Sequence, residues 1–347
     1  MAYTTINKHT DYFNTVLYTG NGSAGNAQTG VGFQPDFTWI KGRSATYNHG
    51  LYDAVRGVTK RIVSNNNNAE DTRADALTAF GTDGFTLGTD SQVNANTATY
   101  ASWNWKASGS TASNSNGSIN STVSVNTTAG FSIVTYTGTG STATVGHGLG
   151  VVPSMIIIKR RDDTDDWQIY HKSIGNTKYL AFNSTAAATT SSTRWNDTTP
   201  TNSVFTVGTA GATNGSGRTF VAYCFAEKAG YSSIGSYKGI GNADGTFVYT
   251  GFKPAFVIIK GAVSGDGNAG QHWELFDNKR LGYNVDNNSL LPSSSGTENT
   301  GDRIDLLSNG FKIRISSDGV NDNNSTYIYM AFGQSLVGSN NVPCTAR

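Results

Sequence analysis

Large apolar residues in this chain recur at every second position over short spans, and the spans are cut by Gly, Pro, Asn and Ser. That is the pattern of β-strands joined by turns. In Asp36-Phe37-Thr38-Trp39 the alternation predicts a strand with one apolar and one wet face, ended at the surface by Lys41. Tyr100 to Trp105 predicts a second strand with Ala101, Trp103 and Trp105 on its core face. Val221, Tyr223 and Phe225, and then Ile328, Met330 and Phe332, are core positions of the same kind further along. The other face of these closing strands carries Tyr100, Tyr327 and Tyr329, which leaves them for solvent, for contacts between units or for stacking on a sugar. No stretch keeps a 3.6-residue apolar period.

The pattern occurs three times. Gly32, Pro35, Phe37, Trp39 and Lys41 return as Gly150, Pro153, Met155, Ile157 and Lys159, and again as Gly251, Pro254, Phe256, Ile258 and Lys260. A Tyr stands 17 residues before each Pro, at Tyr18, Tyr136 and Tyr237, followed by Gly two and four positions later. A gapless register held three times marks an internal repeat. Proline lacks an N–H and suits a strand's first residue.

Other landmarks repeat too. Tyr52 and Tyr170 stand 17 residues after their Pro and Phe276 stands 22 after, which places a five-residue insertion in an enlarged loop within Gly261 to His272. Phe85, Phe205 and Phe311 precede the closing strands by 15, 15 and 16 residues, a spacing suited to a hairpin with a long tip. The expected architecture is all-β: three tandem antiparallel β-sandwich, jelly-roll-like repeats, spanning 1–108, 109–229 (linker included) and 230–347 (with a C-terminal tail). Each could fold alone, though marginally, with contacts between units adding the rest. The Ser/Gly/Asn-rich stretch from Lys106 to Gly117 reads as a linker that hinges the first unit more loosely than the other two.

Charge narrows the functional classes. Only 14% of residues are charged and the net charge is +1, so no global field draws nucleic acid or an anionic membrane. Aromatics at 11% argue against disorder. Cys224 and Cys344 fit two free thiols in a reducing cytosol rather than a disulfide framework or a zinc site. The opening residues lack an apolar core, so no secretory signal is expected, and no apolar run reaches membrane-spanning length.

Reactive chemistry is sparse. Asp162-Asp163-Thr164-Asp165-Asp166 lacks the Gly and Glu of a calcium-binding hand and reads as a solvated hairpin tip. His9, His49, His147, His171 and His272 form no HxH or HxxxH pair, so no metal is expected. No G-x-S-x-G elbow is present, and Glu70, Glu227, Glu274 and Glu298 do not recur among the three copies. The Gly-x-Gly turns are followed by neither a helix nor a Lys-Ser/Thr pair, so they read as turns and not phosphate loops. No enzyme activity and no cofactor is expected. The strand-end lysines Lys41, Lys159 and Lys260 are expected to blunt strand edges or to meet a neighbouring subunit.

The chain resembles a repeat found in virion proteins of tailed phages of marine bacteria and cyanobacteria. The resemblance rests on Tyr3-Thr4-Thr5-Ile6-Asn7-Lys8 with Tyr12-Phe13-Asn14-Thr15, the Gly-x-x-Pro strands, Trp103-Asn104-Trp105-Lys106-Ala107, and the run from Ala331 to Pro343. It implies lectin-like β-sandwich repeats, of the concanavalin or laminin-G kind, in a decoration or fibre-type protein. The expectation is a non-enzymatic virion component, assembled in the host cytoplasm and standing on the particle exterior as capsid decoration or as a tail or fibre appendage. Expected partners are capsid, portal or tail proteins, further copies of the chain and a host-surface glycan; nucleic acid and membrane insertion are not expected. The alternative is a tail-associated carbohydrate-binding receptor protein or polysaccharide depolymerase.

Overall fold

The computed structural model describes residues 4–265, 271–281, 284, 288–316 and 319–335. These residues are nearly all β, with antiparallel pairing between all named strands and only single-turn helices such as Ser91–Asn94 and Gly211–Asn214.

Three large sheets share one strand order. In the first, the opening strand Phe13–Thr19 pairs with the closing strand Thr99–Trp105, then come Phe37–Gly42 and Gly50–Asp53. In the second the order is Phe131–Thr137, Thr219–Phe225, Met155–Arg160 and Gln168–His171. In the third it is Ser232–Lys238, Thr326–Gly333, Pro254–Val263 and Glu274–Asp277. The closing strand thus lies inside each sheet, hydrogen-bonded along both edges.

Each large sheet is covered on both faces. A smaller sheet packs on the outer face: Asn26–Gln28, Gly84–Leu87 and Leu77–Gly81 in the first; Ala143–Gly146 with Val204–Val207 in the second; Phe247–Tyr249, Gly310–Ile313 and Ile304–Leu307 in the third. Tyr18, Ile40, Tyr52, Phe85, Leu87 and Tyr100 fill the first of these outer layers. The inner faces of all three large sheets meet in one cluster, holding Phe37, Trp103, Trp105, Met155, Tyr223, Phe225, Phe256, Met330 and Phe332. Its rings touch across segments: Phe37 to Tyr223 at 4.4 Å, Trp105 to Phe256 at 5.6 Å and Phe225 to Phe332 at 6.1 Å between centroids. Burying each such side chain is worth about 1.5–3 kcal/mol.

This arrangement corrects several expectations. Asp36 and Thr38 are buried, so the first signature strand has no wet face. Asp36 instead accepts from the backbone N–H groups of Ala107 (2.6 Å) and Gly109 (3.1 Å), and Thr38 donates to Asn104 at 3.0 Å. Tyr100, Tyr327 and Tyr329 are buried beneath the small sheets and offer no surface to a sugar. Gly84–Leu87 and Thr99–Trp105 do not form a hairpin; they belong to different sheets, separated by the helix Ser91–Asn94. The stretch from Lys106 to Gly117 is not a free hinge. It contributes the strand Ala112–Asn114, which pairs with Ser121–Asn126 on the second large sheet, and the first segment shares its core with the other two. Gly261 to Val263 extend a signature strand rather than opening a loop, while 266–270 lie outside the described residues. Tyr3, residues 336–343 and Cys344 lie outside them as well.

The Tyr-x-Gly-x-Gly motif has a steric cause. Tyr18, Tyr136 and Tyr237 stack on Tyr100, Phe220 and Tyr327 with centroids 5.0, 5.1 and 5.2 Å apart. A Cβ on the next Gly (Gly20, Gly138 or Gly239) would collide with the carbonyl oxygen of Ala95, Gly215 or Asp322. Gly22, Gly140 and Gly241 have φ of 68°, 76° and 63°, the left-handed region that favours glycine.

Candidate functional site

The repeated signature positions separate into two sets. Phe37, Trp39, Met155, Ile157, Phe256 and Ile258 come together in the central cluster. Gly32, Gly150 and Gly251 turn the chain into these strands with φ of 89°, 71° and 83°. Pro35, Pro153 and Pro254 are buried at or just before the strand starts.

Lys41, Lys159 and Lys260 are each 0% exposed, which overturns the strand-end surface reading. Their ammonium groups are used by backbone carbonyls. Lys41 Nζ donates to Gly42 O (2.8 Å) and Ser295 O (3.2 Å), Lys159 Nζ to Arg160 O (2.7 Å), and Lys260 Nζ to Thr185 O (2.6 Å) and Gln271 O. Two of these acceptors, Ser295 and Thr185, come from a different segment. They belong to loops that follow the fourth strand of each large sheet and cross to the next one. Glu70 N donates to Arg161 O at 2.8 Å, Ala188 N to Ala262 O at 2.9 Å and Glu298 N to Arg43 O at 3.0 Å. The first segment thereby leans on the second, the second on the third and the third on the first, so the seams close into a ring.

Side chains reinforce the seams in the same sense. Arg161 pairs with Glu70 and Arg43 with Glu298. Trp167 Nε1 donates to Val63 O at 2.9 Å and Trp273 Nε1 to Ala181 O at 2.8 Å. Deeper in, Asp53 binds Arg56 and accepts from Tyr223 Oη of the second sheet at 2.8 Å. Asp277 binds Arg280 and accepts from Trp103 Nε1 of the first sheet at 2.9 Å. The middle sheet has His171 and Ile174 at these positions, and His171 Nε2 lies 3.3 Å from the Tyr329 carbonyl oxygen of the third.

Three asparagines complete the pattern without having stood out in the sequence. Asn94 donates to Gly88 O and Ser23 O, Asn214 to Gly208 O and Ser141 O, and Asn321 to Ile315 O and Asn242 O. Their Oδ1 atoms accept from the backbone N–H of Asn21, Thr139 and Ile240. Each stands six residues before Tyr100, Phe220 or Tyr327, a constant spacing that could have found them.

The other candidate groups are taken up by structure. Glu70, Glu227, Glu274 and Glu298 face Arg56 and Arg161, Lys172, Arg303 and Arg43 respectively. Burial pushes the Cys224 thiol up to about 12, away from nucleophilic use. His9, His49, His147 and His171 are buried, and burial holds each below the ordinary imidazole range. Within Asp162 to Asp166, Arg160 faces Asp162, Asp163 and Asp165. Among the described residues no group of three or more His, Cys, Asp or Glu side chains is placed to hold a metal ion.

Chemically, Lys41 and Lys260 are hidden staples across two of the seams, while Lys159 is buried on a carbonyl of its own strand. Burial pushes the amines of Lys41 and Lys159 down to about 8 and that of Lys260 to about 7. Lysine in an unfolded chain titrates near ~10.4. Between about pH 7 and 10 the unfolded chain therefore holds protons that the folded one has released, and stability should rise with pH, by at most about 1.4 kcal/mol per pH unit for each lysine. Below that window the full burial cost applies. Above it the trend turns down, because burial holds the Tyr18, Tyr136 and Tyr237 phenols protonated well past their ordinary range. Urea midpoints across this range should climb less steeply in Lys260→Met; equal slopes in variant and wild type would mean that this amine titrates normally.

The chain belongs to DUF7483, a domain family of unknown function, whose model matches residues 8–335. No curated protein and no solved structure matches it.

Proposed function

We propose that this member of DUF7483 is a non-enzymatic structural component on the exterior of a tailed-phage particle, either capsid decoration or a tail or fibre appendage. Its three segments are read as three tandem β-sandwich repeats closed into one ring, assembled in the host cytoplasm and docked on other virion proteins. The observation that carries this reading is where the repetition goes. Aromatics, glycines, asparagines and lysines that recur among the segments are consumed in cores, turns and seams. On the outer small sheets the repetition lapses: the outward position opposite Thr86, Thr206 and Lys312 is Ala27, Thr144 and Phe247 in turn. Turns and seams repeated under a varied outer face suit a protein that works through surface shape.

Gold-labelled antibody against the chain, imaged on intact particles, is expected to decorate their exterior at regular positions. Bare particles, with all the label in the soluble lysate, would sink the proposal. The purified protein should release no new reducing ends from host polysaccharide; their appearance would replace this reading with a depolymerase.

A further inference from the structure

The small sheet of the third segment differs from its two counterparts on its solvent face. In Phe247–Tyr249 the middle residue, Val248, points into the outer core, while Phe247 and Tyr249 are 43% and 62% exposed. Residues two apart on a strand share a face, so both rings stand on the outside, about 6.8 Å apart along the strand. Phe247 lies across from Lys312, which lies across from Asp305, and Tyr249 lies across from Gly310. A Cβ on Gly310 would stand 3.0 Å from Phe247 Cζ, and it would collide with the Val248 carbonyl oxygen as one on Gly84 would with that of Gln28. The position of Phe247 is taken by Ala27 in the first small sheet and Thr144 in the second, and that of Tyr249 by Gly146, which is buried against Asn114.

The rings are bordered by charges that cancel. Lys312 Nζ is 2.6 Å from Asp244, Arg314 Nε is 3.3 Å from Asp305, and Arg314 Nη1 is 4.0 Å from Asp244. This border offers donors and acceptors but no net field, so the complementary occupant is uncharged and rich in hydroxyls. Aromatic faces carry negative charge density and attract the weakly positive C–H edge of such a molecule. A second copy is poorly matched: two aromatic side chains bring at most about 500 Å², against about 800 Å² per partner in a stable interface.

We propose that Phe247 and Tyr249, with Asp244, Asp305, Lys312 and Arg314 around them, form a binding platform for neutral hexose units of a saccharide. The assignment is independent of where the chain sits on a particle and does not rest on the virion reading. The test uses the full chain against immobilised neutral oligosaccharides of glucose, galactose and mannose, with titration calorimetry on those that bind. Wild type is expected to bind at least one. Phe247→Ala and Tyr249→Ala should each weaken binding about tenfold, one such step being about 1.4 kcal/mol. Tyr249→Phe, which keeps the ring, should retain most of it. Both rings are exposed, so the variants should melt with wild type. Three outcomes would overturn the proposal: no binding to any of the sugars, binding undiminished in the Phe247→Ala/Tyr249→Ala double variant, or a wild-type dimer that the double variant converts to monomer.

Discussion

Replacing Trp105 with alanine is expected to lower stability by about 3–5 kcal/mol and to bring down all three large sheets in one step. The indole stands where the segments meet. Its ring contacts Phe13 and Phe37 of the first sheet, Phe225 of the second, and Phe256 and Phe332 of the third. A void there removes packing from every segment, and a close-packed interior relaxes only partly. The thermal midpoint should fall by roughly 4–7 °C. Hydrogen exchange should show the opening strands Phe13–Thr19, Phe131–Thr137 and Ser232–Lys238 losing protection together. Two separated transitions, with the second and third segments unaffected, would contradict a shared core.

Asp277→Ala should cost a similar amount, about 3–5 kcal/mol, for an electrostatic reason. The carboxylate binds Arg280 Nε at 2.6 Å, caps the backbone N–H groups of Lys279 (2.9 Å) and Arg280 (3.0 Å), and holds Trp103 Nε1. Arg280 is fully buried, with its guanidinium 5.6 Å from the Trp103 ring centroid. Without Asp277 the carboxylate left beside it among the described residues is Glu298, 4.0 Å away. An uncompensated buried charge is far more costly than the pair it came from. The double variant Asp277→His/Arg280→Ile, which copies His171 and Ile174 of the middle sheet, should therefore be more stable than Asp277→Ala alone. Urea denaturation of both decides the matter, and a double variant no better than the single would show that the charge is not the source of the loss.

The strands and their inner faces were legible because alternation in the closing strands is strong: Ala101, Trp103 and Trp105 and their equivalents all lie in the central cluster. The other face was not legible. A period of two says which residues share a side, but not whether the opposite side is wet. Here a second layer covers it, so Tyr100, Tyr327 and Tyr329, whose face the sequence leaves to solvent, to contacts between units or to a sugar, are core within their own segments. Lys41, Lys159 and Lys260 misled for a related reason. Lysine is almost never buried without a partner, and for Lys41 and Lys260 the partners include carbonyls on loops from another segment, Ser295 and Thr185. Nothing local to a strand could announce them. The asparagines Asn94, Asn214 and Asn321 were readable at their fixed spacing, but a polar residue in a polar loop draws no attention beside an aromatic strand. The platform at Phe247 and Tyr249 carries no repeat signal, because Ala27 and Thr144 hold the position of Phe247 in the other two segments.

The closed ring of seams has a consequence for biogenesis. Arg43 cannot meet Glu298 until 255 further residues have been made. At about 5–20 residues per second on the ribosome that is roughly 13–50 s. Throughout that interval the nascent first segment holds an apolar inner face and a lysine destined for the interior, both without their final cover. Its production in the cell should then depend on chaperones that shield emerging chains, and on translation that does not stall between the first seam and the last.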